Sequence, residues 1–242
     1  KKLQCVCGDS ASKPWAVVNQ ISIVECRCGV RRVESIDPDK YTALYTSGTY
    51  HGEGSSDLPH KEAGREPHKT RFDTDYEVGR QRVKKLVRYK DSDKSPILID
   101  VGCANGAFMA AALDQGFKVF GVDLSDDAVH SQYLAQFVRV GDLRSVGFQR
   151  RTADIITFND SFEHFIDPLS ALKAARGILK RDGMLVVEIP DMGSKDAVEQ
   201  GAQFKHVKPH EHLWYFTATQ LRSLLEREGF NVLDMQVPVP GK

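Results

Sequence analysis

The chain has no excess of charge of either sign. Its 242 residues include 33 Lys and Arg against 33 Asp and Glu, a formal net charge of +0. That balance gives no general drive toward nucleic acid or an anionic membrane. Long hydrophobic runs are also missing. No apolar stretch approaches the roughly 18 residues of a membrane span, and no signal peptide is visible. No internal repeat or low-complexity tract is present. The expected location is therefore cytoplasmic, with neither membrane nor nucleic acid as partner. The chain begins at Lys1 rather than Met, which leaves its true start, and any targeting information, open. With 41% hydrophobic and 27% charged residues, the composition is that of a globular protein with a real core. The length suits one α/β domain plus an extension.

Cysteine is scarce, and its placement is informative. Cys103 lies in a glycine loop and reads as a small filler residue. The other four form C-V-C-G (Cys5, Cys7) and C-R-C-G (Cys26, Cys28). Paired cysteines followed by glycine suggest a zinc knuckle pair or ribbon, because four thiolates hold zinc tetrahedrally and glycine lets each knuckle turn. Each spacer is one residue long. The alternative is a degenerate ribbon with free thiols or disulfides. Four cysteines leave no open coordination position, so the role of any zinc is structural.

The most informative stretch is Ile97 to Phe108, I-L-I-D-V-G-C-A-N-G-A-F. A strand-type run ends in Asp100, a loop holds Gly102 and Gly106, and a helical run follows. Strand, glycine loop, helix is how a doubly wound sheet builds a nucleotide site at the carboxyl ends of its strands. The G-x-x-x-G spacing differs from the dinucleotide pattern and suits a ligand with no pyrophosphate. Lys118 to Val122 is a second strand, ending in Asp123, placed to accept hydrogen bonds from ribose hydroxyls. Phe137 to Val140, Ala153 to Phe158, Met184 to Ile189 and Phe230 to Met235 read as further strands, with a Lys180–Gly183 turn before the third of these. Tyr76 to Tyr89 reads as a helix with Val83, Leu86 and Val87 on its apolar stripe and a solvated basic face. Ser125 reads as an N-cap followed by Asp126 and Asp127. Asp167-Pro168 opens another helix, and Thr217-Ala218-Thr219-Gln220 is a capping box whose helix Gly229 closes. The fold class is thus α/β, a doubly wound, mostly parallel, Rossmann-like sheet with a small N-terminal cysteine-rich module. Residues 1–45 form the zinc-ribbon-like module. Residues 46–75 form a polar loop or lid whose His51, His60 and His68 read as solvated. Residues 76–242 form the main domain.

These motifs, in this order, resemble those of class I S-adenosylmethionine-dependent methyltransferases. Ile97–Phe108 resembles their motif I, and Asn159-Asp160-Ser161-Phe162-Glu163-His164 their motif IV. The resemblance implies a cofactor site of Asp100, Gly102, Cys103, Gly106, Asp123, Leu124, Asp142 and Asn159. In it, Asp123 meets the ribose and Asp142 the adenine amino group. Many members carry an N-terminal C-x-x-C…C-x-x-C-G ribbon, from which Cys5, Cys7, Cys26 and Cys28 depart in spacing. The family normally ends in a seventh, antiparallel strand. Val237 to Lys242 is too short to supply it, which suggests a final strand beyond Lys242.

Candidate bases fall in two clusters, Asp160, Glu163 and His164, and His206, His210, Glu211 and His212. The segment H-E-H-L-W-Y-F-T resembles one in small-molecule and sugar methyltransferases. There the pair matching Glu211 and His212 faces the acceptor and the histidine can serve as base. The expectation is methyl transfer to a small-molecule or sugar-type acceptor by His212, oriented by Glu211, with His164 nearby. A packed core histidine is the bland alternative. Asp160-x-x-Glu163-His164 also resembles the metal-binding element of certain O-methyltransferases. No second ligand set is evident in the sequence, so metal-assisted transfer stands only as an alternative. A non-catalytic interaction module on the same fold is another. The acceptor's identity and the oligomeric state are not readable from the sequence.

Overall fold

A computed structural model describes residues 1–46, 71–87, 95–125 and 131–236. His51, His60, His68, Asp126 and Asp127 lie outside the described residues. The chain divides into two compact units. One comprises residues 1–38, 160–173 and 188–242, the other residues 39–159 and 174–187.

The second unit is built on a five-stranded sheet in the order β6-β5-β4-β7-β8. Its strands are β4 (Ile97–Val101), β5 (Lys118–Asp123), β6 (Val138–Val140), β7 (Ala153–Asn159) and β8 (Leu179–Glu188). The β4–β5, β4–β7 and β5–β6 pairs are parallel. Leu98, Ile99, Ile155 and Ile156 are almost wholly buried, as continuous apolar runs in a covered parallel sheet should be. Helix α2 (Phe72–Val87) begins four residues earlier than the sequence suggested and buries Gly79, Val83 and Leu86. It crosses α3 (Ala107–Asp114) closely, because Gly79 has no side chain. A Cβ there would stand 3.1 Å from the Phe108 Cα. The Lys180–Gly183 turn expected before β8 is drawn into that strand instead. Lys180 Nζ is held at 2.7 and 2.8 Å by the two oxygens of Asp154 on β7.

The first unit holds an antiparallel sheet, β1-β2-β3-β9. Strands β1 (Ser12–Val18), β2 (Ile21–Cys26) and β3 (Arg31–Val33) come from the cysteine-rich segment. Strand β9 is the dipeptide Trp214–Tyr215, about 180 residues further along, paired with Arg32 and Arg31. Helix α7 (Ala218–Arg227) starts with the expected capping box. Thr217 Oγ accepts from the Gln220 amide, and the Gln220 side chain accepts from the Thr217 amide. Residues Phe230 to Met235, expected as a strand, are not one. Apolar alternation alone cannot make a strand without a neighbouring backbone to bond. Leu233 is accordingly 72% exposed.

One polar tether lies inside the parallel sheet. Asp100, at the end of β4, is buried, and its Oδ1 accepts from Thr157 Oγ1 at 2.7 Å and Asn159 Nδ2 at 3.0 Å, both on β7. Burial pushes its carboxyl up to about 6, against the opposing pull of those two hydrogen bonds. The carboxyl value is therefore raised on folding above its ordinary 3.8. The stability it contributes is full below the unfolded value and is lost as pH rises through the folded one.

Two predictions follow from this packing. In urea titrations at pH 4 and pH 7, the wild type should lose on the order of 2–3 kcal/mol relative to Asp100→Asn over that interval. Parallel pH profiles for the two proteins would show that the buried carboxyl is not the titrating group. The second concerns two glycines. A Cβ at Gly121 would lie 2.7 Å from both Cys103 Sγ and Met109 Sδ, whereas one at Gly177, inside a helix, meets nothing within 4 Å. Gly121→Ala should cost about 1–3 kcal/mol and Gly177→Ala should gain about 0.5–1 kcal/mol. Equal effects in denaturant unfolding would contradict the packing described.

Candidate functional site

In the second unit, the loop between β4 and α3 reverses the chain at the carboxyl edge of the sheet. Gly102 and Gly106 sit at φ +79° and +77°, conformations costly for any residue with a Cβ. Ala104 is held at φ 44° as well. What holds the loop is the end of β5. The amides of Gly102 and Cys103 bond the Val122 carbonyl at 2.7 and 3.2 Å. The Ala104 amide donates to Asp123 Oδ2 at 2.9 Å, while Asp123 Oδ1 accepts from Ser125 at 3.0 Å. Each carboxylate oxygen can accept a further hydrogen bond. Asn105 ties the loop to α2 through Asp75 at 2.8 Å, a link the sequence gave no signal for. Its Oδ1 also accepts from the Ala107 amide at 3.1 Å.

The structure brings Asp100, Gly102, Cys103, Gly106, Asp123 and Asn159 together at the ends of β4, β5 and β7. Cys103 is buried and fills space against Gly121, and burial pushes its thiol up. Leu124 follows β5 and is exposed. Asp142 follows β6, where its carboxylate grips Arg144 in a fork at 2.7 and 2.9 Å.

In the first unit, the four cysteine thiols converge. Cys5 and Cys28 Sγ are 3.6 Å apart, and Cys7 and Cys26 Sγ 3.5 Å apart. All four sulfurs lie within 4.8 Å of one another, with no disulfide among them. Each C-x-C-G closes a turn, with the Gly8 amide on the Cys5 carbonyl and the Gly29 amide on the Cys26 carbonyl. Both glycines have positive φ. The short sulfur pairs run between the two motifs. Zinc–sulfur bonds of about 2.3 Å in a tetrahedron put sulfurs about 3.8 Å apart, so this donor set fits zinc.

The same unit gathers a second cluster. Glu163 and His164 lie in a 3₁₀ turn, Phe162–His164, after β7. His212 comes from the segment before β9. Its Nε2 stands 4.0 Å from Glu163 Oε1, and His164 Nε2 stands 3.9 Å from the same oxygen. The two imidazoles meet edge to face at 4.7 Å. Glu163 is 1% exposed and His212 8%. Burial, with His164 beside it, holds His212 well below the ordinary imidazole range, so it is neutral at pH 7. Its Nδ1 lies 2.8 Å from the His206 carbonyl.

The orientation of His212 differs from the sequence expectation. Glu211 bonds His210 Nε2 at 3.1 Å instead. Burial alone would raise the Glu211 carboxyl. The His210 hydrogen bond, helped by the positive charge of Lys208, outweighs that and holds it at about 2. The reason is local geometry. The His212 amide bonds the Lys208 carbonyl at 2.7 Å and the Glu211 amide bonds it at 2.9 Å, which closes a tight turn. Trp214 and Phe216 are buried, as the packed reading of that segment required. The meeting of His212 with Glu163 spans 49 residues, and no sequence spacing announced it.

Comparison with known proteins agrees with the second unit's architecture. A methyltransferase-domain family (Methyltransf_23) matches residues 73–235. A ubiquinone biosynthesis O-methyltransferase of Colwellia psychrerythraea is 23% identical over 154 residues, covering 57% of this chain and 61% of that one. Its namesake from Histophilus somni is 31% identical over 100 residues, 36% of this chain and 42% of that one. The chain therefore spans about half the length of these relatives. Among solved structures, the 1,6-didemethyltoxoflavin-N1-methyltransferase of Burkholderia thailandensis aligns with a TM-score of 0.54 at 19% identity, covering 94% of this chain and 93% of that one. A methyltransferase from Archaeoglobus fulgidus aligns at 0.51 and 19%, covering 64% and 69%. At such identities the likeness is one of fold. A parallel sheet with a glycine loop clamped to the acidic end of its second strand, and a family match spanning most of the chain, lead to one conclusion: the chain belongs to the methyltransferase-domain family.

Proposed function

We propose that the protein binds S-adenosylmethionine and transfers its methyl group to a small-molecule acceptor. The observation that carries this reading is the clamp of the Gly102–Gly106 loop on Asp123. It leaves an acidic side chain and a close-approaching backbone at the carboxyl edge of the sheet, where such folds take nucleosides. When bound, the cofactor supplies an electrophilic methyl on a sulfonium. Asp123 holds the ribose hydroxyls, Asp142 meets the adenine amino group after exchanging its Arg144 partner, and Gly102 and Gly106 let the backbone approach. Asp100, Cys103, Leu124 and Asn159 line the same edge, with Asp100 fixing Asn159 in place. The relatives named as ubiquinone biosynthesis O-methyltransferases support a small acceptor. His164 and His212 are assigned to acceptor chemistry. Glu211, held ionised on His210, keeps the turn in shape rather than orienting His212. The expected location remains cytoplasmic.

Cys5, Cys7, Cys26 and Cys28 hold one structural zinc in this reading. The supporting observations are the four convergent thiols and the two glycine turns. Zinc would fasten the N-terminal segment to the β2–β3 hairpin. Burial pushes the Cys5 thiol up, so zinc binding there would release protons.

Calorimetry should detect binding of both S-adenosylmethionine and its demethylated product. Asp123→Ala should weaken it by about 1.5–3 kcal/mol, the worth of hydrogen bonds to a charged group. Asp123→Asn, whose single amide oxygen can keep only one of the two bonds from the Ala104 and Ser125 amides, should fall between the wild type and Asp123→Ala. A folded wild type that binds neither compound would sink the enzyme reading. For the cysteines, elemental analysis of protein purified without chelator should give about one zinc per chain, abolished by Cys26→Ser. Metal-free protein with four reduced, ordered thiols would overturn the zinc assignment.

A further inference from the structure

Glu163, His164 and His212 bring three ligand-type side chains to one place in the first unit. A carboxylate nearly sealed from solvent faces two imidazole nitrogens at 3.9 and 4.0 Å. Those separations are too long for hydrogen bonds, which run about 2.7–3.2 Å. The ligand atoms of all three side chains nevertheless converge within 4.8 Å. We propose that Glu163, His164 and His212 form a binding site for one divalent transition-metal ion, distinct from the four-cysteine site.

The argument rests on three features. The first is tautomer. A backbone carbonyl only accepts, so the His212 Nδ1 that lies 2.8 Å from the His206 carbonyl carries the proton. The other ring nitrogen, Nε2, is the one that faces Glu163. A ligand imidazole fixed through its other nitrogen is the usual outer-shell arrangement of metal sites. The second is reach. Bonds of about 2.0–2.2 Å place neighbouring ligand atoms roughly 3.0–3.5 Å apart, so each side chain needs to move inward by less than about 1 Å. The third is donor chemistry. Two imidazoles and one carboxylate suit zinc, iron, manganese or cobalt, and three protein ligands leave coordination positions open. The open positions make this a site that can take an exogenous oxygen or nitrogen donor, unlike the closed thiolate set.

The ligand set is not the contiguous one the sequence suggested. Asp160 sits at φ 48°, with its amide on the Glu188 carbonyl, and does not join the cluster. His212 takes its place, delivered by backbone bonds. The Leu213 amide donates to the Glu163 carbonyl at 2.9 Å, which sets residue 212 against residue 163.

Manganese(II) is the probe of choice, because it prefers nitrogen and oxygen donors and leaves the thiolates alone. Titration of the zinc-loaded full chain, followed by loss of the free-ion electron paramagnetic resonance signal, should show about one bound Mn²⁺ per chain. Pulsed measurements on the wild type should show imidazole nitrogen coupled to the bound ion. Glu163→Gln, His212→Gln and His164→Ala should each weaken binding by more than about tenfold, while Val198→Ala, at an exposed position of the same unit, leaves it unchanged. His164 is only partly buried, so its variant tests the site if the other two fail to fold. No bound manganese, no nitrogen coupling, or equal affinity in the folded His164→Ala variant would overturn the proposal. Calorimetry with S-adenosylmethionine on the same samples keeps the two readings apart. Cofactor binding without metal binding defeats only this inference, and metal binding without cofactor binding defeats only the proposed function.

Discussion

The backbone of Leu213 is the constraint on which the first unit depends. Its carbonyl accepts from the Val33 amide at 2.9 Å, and its amide donates to the Glu163 carbonyl at 2.9 Å. One buried residue thus joins the sheet of the cysteine-rich segment, the turn after β7 and the histidine segment. Continuing from it, Trp214 and Tyr215 add a fourth strand beside β3. Trp214 Nε1 then donates to the Phe165 carbonyl at 2.8 Å. Val33, Leu213 and Glu163 are buried, and an unmet backbone donor there would cost about 1–3 kcal/mol. The register of the whole segment is accordingly tight, and the side chains on either side of Leu213 have little freedom to choose their neighbours.

That tightness explains the electrostatics of the cluster. Glu163 and His212 are placed by backbone bonds rather than by attraction to each other. Desolvation then works on His212. It keeps His212 neutral, whereas Glu211, one residue away, remains ionised because it has a histidine to bond. In one tight turn, desolvation thus prevails at His212, whereas at Glu211 the His210 hydrogen bond outweighs it. In the second unit, Asp100 is set by the same competition with the opposite result. Its two hydrogen bonds do not offset complete burial, and its carboxyl is raised.

What was readable in the sequence was what local chemistry dictates. The glycine loop, the acidic end of β5 and the Thr217 capping box are written in consecutive residues, and their geometry follows from φ preferences and orphan amides. The sulfur convergence was readable too, because the glycine after each cysteine pair announces its turn. The partners were not readable. Nothing in W-Y marks a strand, since a two-residue strand has no alternation and exists only because β3 offers it an edge. Conversely, Phe230–Met235 has the composition of a strand and no edge to join. The His212–Glu163 meeting and the Asn105–Asp75 bond fail for the same reason: they are products of register between distant segments, which periodicity does not encode.

Backbone strain falls where chain reversals are needed and, in two cases, beside the groups that carry the chemistry. Among the described residues, five without a glycine's freedom adopt positive φ: Asn19, Gln20, Ala104, Arg151 and Asp160. Asn19 and Gln20 make the β1–β2 turn, where asparagine tolerates that conformation. Ala104 and Asp160 are different. Each follows a parallel strand of the sheet within a few residues of its end, and each costs about 1 kcal/mol or more. The Ala104 strain is offset by the bond of its amide to Asp123, and the Asp160 strain by the bond of its amide to Glu188. The consequence at Ala104 is a loop backbone turned outward at the strand edge. At Asp160 the chain turns so that Glu163 and His164 enter the interior while Asp160 itself does not. Sequences that specify one fold violate local preference at few places, chiefly where function demands it. Here the two violations that no ordinary turn requires introduce the two side-chain groups with the strongest chemical character, one in each unit.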